Sequence, residues 1–270
     1  MGRPKAPGRM HADLAAHTRR LAIALLAGTL LVGACAPAAT PTPTPGPVPR
    51  IAVTPWFAPH VLAWARTYIE AYGPLPFDIE VVHAAAAVDG LQRGVYVLGV
   101  GALEPAEGWF ATPLGVEALG VVAGSESGVR QITRDQLVAL LAGRAANWAT
   151  LGGRDQTVQP ILPLPGDDVG SRIEEALMQG ASFASAARLT ATPEQALDLL
   201  GAEPGALLIL PMSALPDSLT PLSIDGALPP TDATNAAGYP LVATLAAIAP
   251  QEPIGPVRDW LAWLQSTQLP

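Results

Sequence analysis

Apolar and polar positions along this chain follow two periods. "PHVLAWARTYIEAY" (59–72) places apolar residues three and four apart, which predicts a helix with one buried face. "FDIEVV" (77–82) alternates every second residue, as a half-buried strand does. The runs "RIAVTPWF" (50–57), "GVYVLGVGAL" (94–103), "LGVEALGVVAG" (114–124), "GALLILP" (205–211) and "YPLVATLAAIAP" (239–250) are more continuously apolar and predict buried strands, with "TVQPILPL" (157–164) as a further one. Helical spacing returns in "AAAVDGLQR" (85–93), "TRDQLVALLAG" (133–143), "VGSRIEEALMQG" (169–180), "TPEQALDLLGA" (192–202) and "PVRDWLAWLQS" (256–266). Thr133 is a good helix cap, Gly143 a good stop, and Pro193 suits a first turn. Strands alternating with helices predict an α/β fold with mainly parallel sheets and flanking helices.

The first fifty residues read differently. Arg3, Lys5, Arg9, Arg19 and Arg20 stand against one acid, Asp13, and the apolar run "LAIALLAGTLLVGAC" follows, ending at Cys35. A basic stretch, a short apolar stretch and small residues before a cleavage point make residues 1–34 a signal peptide rather than a spanning helix. "APAATPTPTPGPVP" (36–49) alternates Thr and Pro and cannot form a helix or a sheet interior, so residues 35–49 read as a semi-extended tether. Charge sharpens this. The whole chain is formally −8, and removing a leader of net +4 leaves −12, with no Lys remaining. Such an acidic surface argues against nucleic acid and against a polybasic membrane patch. Cys35 is the only cysteine, so no disulfide framework or cysteine zinc site exists.

One stretch carries a family signature. "ITRDQLVALLAGRAANWATLGGRD" (132–155) has Thr133, Gln136, Leu137, Gly143, Asn147, Trp148, Leu151, Gly152, Gly153 and Asp155 at fixed spacings. It resembles the PstS-like solute-binding proteins of phosphate ABC importers, a branch of the type 2 periplasmic binding proteins. Read physically, the motif is structural: Leu137, Leu140 and Leu141 cover a helix face, Trp148 packs a loop back, and Gly152-Gly153 make a tight turn. The likeness continues in order over nearly all of residues 50–267. It implies two α/β lobes with a ligand cleft between them, lobe I from residues 50–113 and 240–270 and lobe II from 114–239. Val32-Gly33-Ala34-Cys35 resembles the lipobox of bacterial lipoproteins, which implies lipidation at Cys35 and an extracytoplasmic protein anchored to the membrane.

In that family, hydroxyls and backbone N–H groups of the opening loop and of a "GSGT" helix start hold phosphate, with an Arg nearby. Carried onto this chain, the candidate ligand-binding residues are Thr54 and Trp56 in the opening loop and Asp167, Asp168, Gly170, Ser171 and Arg172 at the helix start. The departures are specific. Pro55 has no N–H, Pro165 stands where the Arg is expected, and "YVLGVGA" has neither an acid, a Ser or Thr hydroxyl, nor an Arg. A carboxylate about 4 Å from a bound anion costs about 1 kcal/mol in water-like dielectric and about 4 at an effective value of 20. Losing an Arg contact costs about 1.5–3 kcal/mol more. Together these would carry a micromolar phosphate site to near millimolar. The carboxylates admit two readings. Asp168 or Ser171 caps the helix, with Ser171-x-x-Glu174 as a capping box, or Asp167 and Asp168 face the cleft toward a cationic or hydroxyl-rich ligand.

His60 and His83, the two histidines beyond the leader, each end near a predicted strand but read as incidental rather than as a metal site. Trp56 and Tyr96 could stack on a ligand or belong to the core. No G-x-S-x-G, H-E-x-x-H or P-loop pattern is present, Ser171 has no local base, and no cofactor motif appears, so no enzyme is expected. The expectation is an exported, lipid-anchored solute-binding protein that carries phosphate or another small solute to an ABC permease, with a degenerate phosphate site. The alternative is a surface lipoprotein using the same fold as a scaffold or sensor.

Overall fold

A computed structural model describes Gly2, residues 46–230 and residues 238–267. The leader, Cys35 and nearly all of the tether lie outside the described residues. Every element below belongs to one compact unit, residues 47–270.

Two strand–helix–strand turns begin the unit. β1 (Arg50–Val53) leads through helix α1 (Ala58–Tyr72) to β2 (Asp78–Val81), and helix α2 (Ala84–Gln92) leads on to β3 (Leu98–Gly101). β1 pairs parallel with both β2 and β3. The chain then enters one long strand, β4 (Phe110–Ala123). A short strand β5 (Gln131–Ile132) and helix α3 (Arg134–Leu141) precede β6 (Gln159–Pro163). Helix α4 (Asp168–Ile173), β7 (Arg188–Thr190), helix α5 (Pro193–Ala202) and β8 (Ala206–Pro211) follow, then β9 (Ser223–Ile224) pairs with β5. β10 (Val242–Ala249) and helix α6 (Gly255–Ser266) close the chain.

The main sheet runs β2-β1-β3-β10-β4-β8-β6-β7. Its outer pairs are parallel, and β10 and β4 form the antiparallel centre. β4 joins two regions of this sheet. Its first part pairs with β10 up to Ala118, opposite Val242, and from Leu119, opposite Pro211, it pairs with β8. Its burial changes at almost the same place, from alternating and exposed before Glu117 to continuously buried after it. This is the α/β alternation that the periods predict, in the two-lobe arrangement that the resemblance implies, with β4 pairing in both regions of the sheet.

Several boundaries differ from the sequence expectation, each for a local reason. The strand expected over 50–57 stops at Val53, because Pro55 cannot donate to a ladder and Thr54 to Phe57 turn into α1. The strand expected over 94–103 shrinks to Leu98–Gly101. Tyr96 folds back against Gly90, where a Cβ would collide with its ring. β4 begins four residues earlier than expected and tolerates Pro113 beside a register irregularity in β10 between Leu245 and Ala246. The helix expected over 169–180 is α-helical only to Ile173, then widens to a π-turn over Glu174–Met178.

The signature motif is structural, as read. Thr133 accepts from the Gln136 N–H while Gln136 Oε1 accepts from the Thr133 N–H, a complete capping box. Asn147 Nδ2 donates to Asp155 Oδ1 at 2.9 Å, and Gly152 adopts φ +80°. Trp148 is fully buried and its Nε1–H donates to the Gly205 carbonyl at 2.9 Å. That bond ties the motif loop to the start of β8. Trp148→Phe should therefore cost about 1 kcal/mol for the lost hydrogen bond, and Trp148→Ala about 3–5 kcal/mol for the cavity, in urea denaturation. An Ala variant as stable as the parent would contradict this role.

Candidate functional site

The carboxyl ends of β1 and β3 lie side by side, because the two strands pair in parallel register. Open α/β sheets place ligands at such ends. Thr54 follows β1 directly, and its N–H donates to the Val100 carbonyl at 3.0 Å, which holds the backbone in line with β3. Gly101 ends β3 and Ala102 follows. Facing them is the turn after β6, where Asp167 and Asp168 open α4.

Asp168 spans the two sides. It is 3% exposed, and its Oδ2 accepts from the Ala102 N–H at 2.9 Å, a bond between residues 66 apart in sequence. Its Oδ1 accepts from the Val169 N–H at 2.9 Å. Gly101 makes this approach possible. A Cβ there would lie 2.7 Å from Asp168 Oδ2 and collide with Thr54 Oγ1, so both polar atoms press on the same α-carbon. Thr54 is fully buried, and its Oγ1 has no hydrogen-bond partner among the described residues.

Asp167 is fully buried beside it and caps α4 by accepting from the Val169 N–H at 3.2 Å. Burial pushes its carboxyl up to about 9, helped by the negative charge of Asp168. At neutral pH Asp167 is therefore the acid. Its Oδ2 is buried and has no hydrogen-bond partner among the described residues. His83 looks onto this pair. Its Nδ1 accepts from the Ala85 N–H at 3.3 Å, which places the ring proton on Nε2, 4.0 Å from Asp167 Oδ2.

The structure brings together only part of the expected set. Thr54, Asp167 and Asp168 converge. Trp56 does not join them: it is fully buried in the main apolar core with Phe57, Val53 and Val61. Gly170 packs toward Pro163 on β6. Ser171 is exposed and its hydroxyl donates to the Asp167 carbonyl one turn back, so neither the Ser171 cap nor its capping box forms. Arg172 is held away from the seat, pairing with Glu175 and donating from Nη2 to the Val242 carbonyl at 3.3 Å. Tyr96 is structural too, donating to Glu80 Oε2 at 2.9 Å with Arg50 over its ring.

His60 and His83 meet different carboxylates. His60 Nδ1 lies 3.3 Å from Glu117 Oε2, while Glu117 Oε1 accepts from the Ser213 N–H at 2.7 Å. Among the described residues, no group of three or more His, Cys, Asp or Glu side chains is placed to hold a metal. The residues that sequence reasoning misses are Gly101 and Ala102. Their contribution is an absent side chain and a backbone N–H, and the one clue was a glycine at a buried strand end.

Two cavities lie elsewhere. One of about 740 Å³ runs along α1 and β2, lined by Leu62, Ile69, Phe77 and Val81 with Thr192 and Glu194. Another of about 260 Å³ lies between Leu162, Gly170 and Phe183. Neither is lined by Thr54, Asp167 or Asp168. At the end of β3, the Ala102 N–H is met by the chain's own Asp168.

Comparison with known proteins agrees with this architecture. The model of the PBP superfamily domain matches residues 38–268. The phosphate-binding protein PstS of Bacillus subtilis (strain 168) is 25% identical over 228 residues, covering 78% of this chain and 73% of that protein. A putative phosphate ABC transporter substrate-binding protein with bound phosphate, from Clostridium perfringens, superposes with a TM-score of 0.73 at 15% identity, covering 82% of this chain and 93% of that one. An ABC-type phosphate transport receptor from Vibrio cholerae gives 0.64 at 16% identity, over 82% and 94%. The two solved structures share the fold.

Asp167 yields a pH prediction. Its folded value of about 9 lies above an unfolded value of about 3.9, so between these limits only the folded state holds the proton. The resulting stability is complete below about pH 4 and is lost as pH rises toward 9. Asp167→Asn mimics the protonated acid and removes this dependence. Its melting temperature should match the parent near pH 4 and exceed it increasingly up to pH 9. A difference that stays constant over that range would contradict the assignment.

Proposed function

The chain belongs to the family of the PBP superfamily domain, and on that premise we propose that it is a PstS-like, extracytoplasmic solute-binding protein working with an ABC permease. The observation that supports this most is where the polar groups gather. Thr54, Ala102 and the Asp167-Asp168 turn meet at the carboxyl ends of β1 and β3, facing the start of α4. This is the crevice in which open α/β sheets bind ligands. The permease partner is argued from the relatives, which are described as phosphate-binding and ABC transport proteins.

Attachment is read through Cys35, with lipid on its thiol and residues 36–49 as the spacer. Among the described residues no helix is long and apolar enough to cross a membrane. In this reading the lobes hinge on β4 and β10. The change of partner in β4 at Ala118–Leu119, close to the 113/114 division expected from sequence, supports a hinge there.

The phosphate site is degenerate. Thr54 is the one hydroxyl retained from the opening loop at the seat, Pro165 stands in place of an Arg, and two carboxylates face the donors. On this reading the seat holds phosphate weakly or not at all, and another small solute is favoured. A second reading, a surface scaffold or sensor that never loads a solute, is favoured by the same buried carboxylates.

Calorimetry of the processed protein with inorganic phosphate should show no saturable binding in the micromolar range, and micromolar affinity would contradict the degenerate site. A thermal-shift panel of oxyanions, sugars, amino acids and metals separates the two readings. A saturable rise with one solute is expected for transport, and a flat panel would favour the scaffold. Metabolic labelling with a fatty-acid analogue should mark the wild-type chain and not Cys35→Ala, which should be released from the membrane fraction. Equal labelling of both would overturn the anchor.

A further inference from the structure

Asp168 does more than a helix start requires. The cap of α4 is already made by Asp167, whose Oδ1 takes the Val169 N–H. Asp168 brings a second carboxyl oxygen to that same N–H and sends its other oxygen across to the Ala102 N–H. The second contact leaves α4 altogether. Next to the bridging oxygen, Thr54 offers a fully buried hydroxyl with no partner among the described residues, and Gly101 has no Cβ to keep the two apart. A backbone N–H from one lobe, an unused hydroxyl and a glycine-lined close approach make up a seat for an oxyanion, and a carboxylate is an oxyanion.

We propose that Asp168 is a tethered surrogate ligand: its carboxylate occupies the anion seat formed by Thr54, Gly101 and Ala102 and holds the cleft shut without a free solute. The inference rests on reading this seat as the solute site of the cleft. A group attached to the chain is present at high effective concentration, so a free anion competes poorly against it. The donors are intact, however, and wait on one side chain. The seat is anion-selective by construction and excludes free anions because it is already filled.

The test is chemical rescue on the full processed protein. Asp168→Ala should melt lower than the parent, and inorganic phosphate or acetate should raise its melting temperature saturably by several degrees. The wild type should show no such rise. Asp168→Asn, which still fills the seat and accepts from Ala102, should not respond either. Adding Thr54→Val to Asp168→Ala should weaken the phosphate response at least tenfold, which locates the binding. If Asp168→Ala is poorly folded, Asp168→Ser serves in its place, and either should fold better when prepared with phosphate. The proposal is overturned if a folded Ala or Ser variant ignores both anions, if the wild type responds equally, if Thr54→Val leaves the response unchanged, or if neither variant folds even with phosphate present. The outcomes separate this inference from the transport reading. A wild-type hit on the solute panel with no rescue of Asp168→Ala removes only the surrogate ligand. Rescue with a flat wild-type panel removes only transport.

Discussion

The hydrogen bond from the Ala102 N–H to the Asp168 carboxylate is the constraint on which the state of this molecule depends. It joins the end of β3 to the start of α4, two places with no other reason to be close in sequence. A buried polar group is tolerated only when it is well bonded, and two N–H groups supply that environment for Asp168. The neighbouring features follow from it. Position 101 must be glycine for the carboxylate to approach, and Asp167 must keep its proton because a second charge at that depth would be unsupported. Breaking the contact would leave a buried N–H and a buried carboxylate unpaired, a cost far larger than the modest net worth of the bond.

The fold was largely legible because its signals are redundant. Helical spacing, strand alternation and the residues 132–155 motif all pointed to α/β lobes. Each element of the motif performs the local task its chemistry suggests: Thr133 and Gln136 close a capping box, and Trp148 anchors a loop. The errors fell where a single residue overrides a periodic pattern. Pro55 ended β1 in the middle of an apolar run. Tyr96 left the ladder to cover Gly90. The short strands β5, β7 and β9 were missed, since two or three residues cannot display a period.

The site was legible by address but not by direction. The turn "PGDDVGSR" meets the end of β3 through Asp168, and both aspartates are buried there. Which of them caps was not readable. A shift of one residue in the helix start decides that Asp167 caps, that Asp168 reaches across, and that Ser171 turns outward. Trp56 carried no signal to distinguish a stacking platform from a core side chain, and burial decided for the core. Backbone donors such as Ala102 leave no mark on side-chain identity, so the partner of Asp168 could come only from the structure.

The central claim is that the anion seat is filled from within. The most direct measurement is a crystal structure of the wild-type protein grown and soaked in saturating phosphate. The account expects the Asp168 carboxylate on the Ala102 N–H, with Thr54 beside it and no phosphate density at the seat. Phosphate bonded to Ala102 and Thr54, with Asp168 swung out, would contradict it.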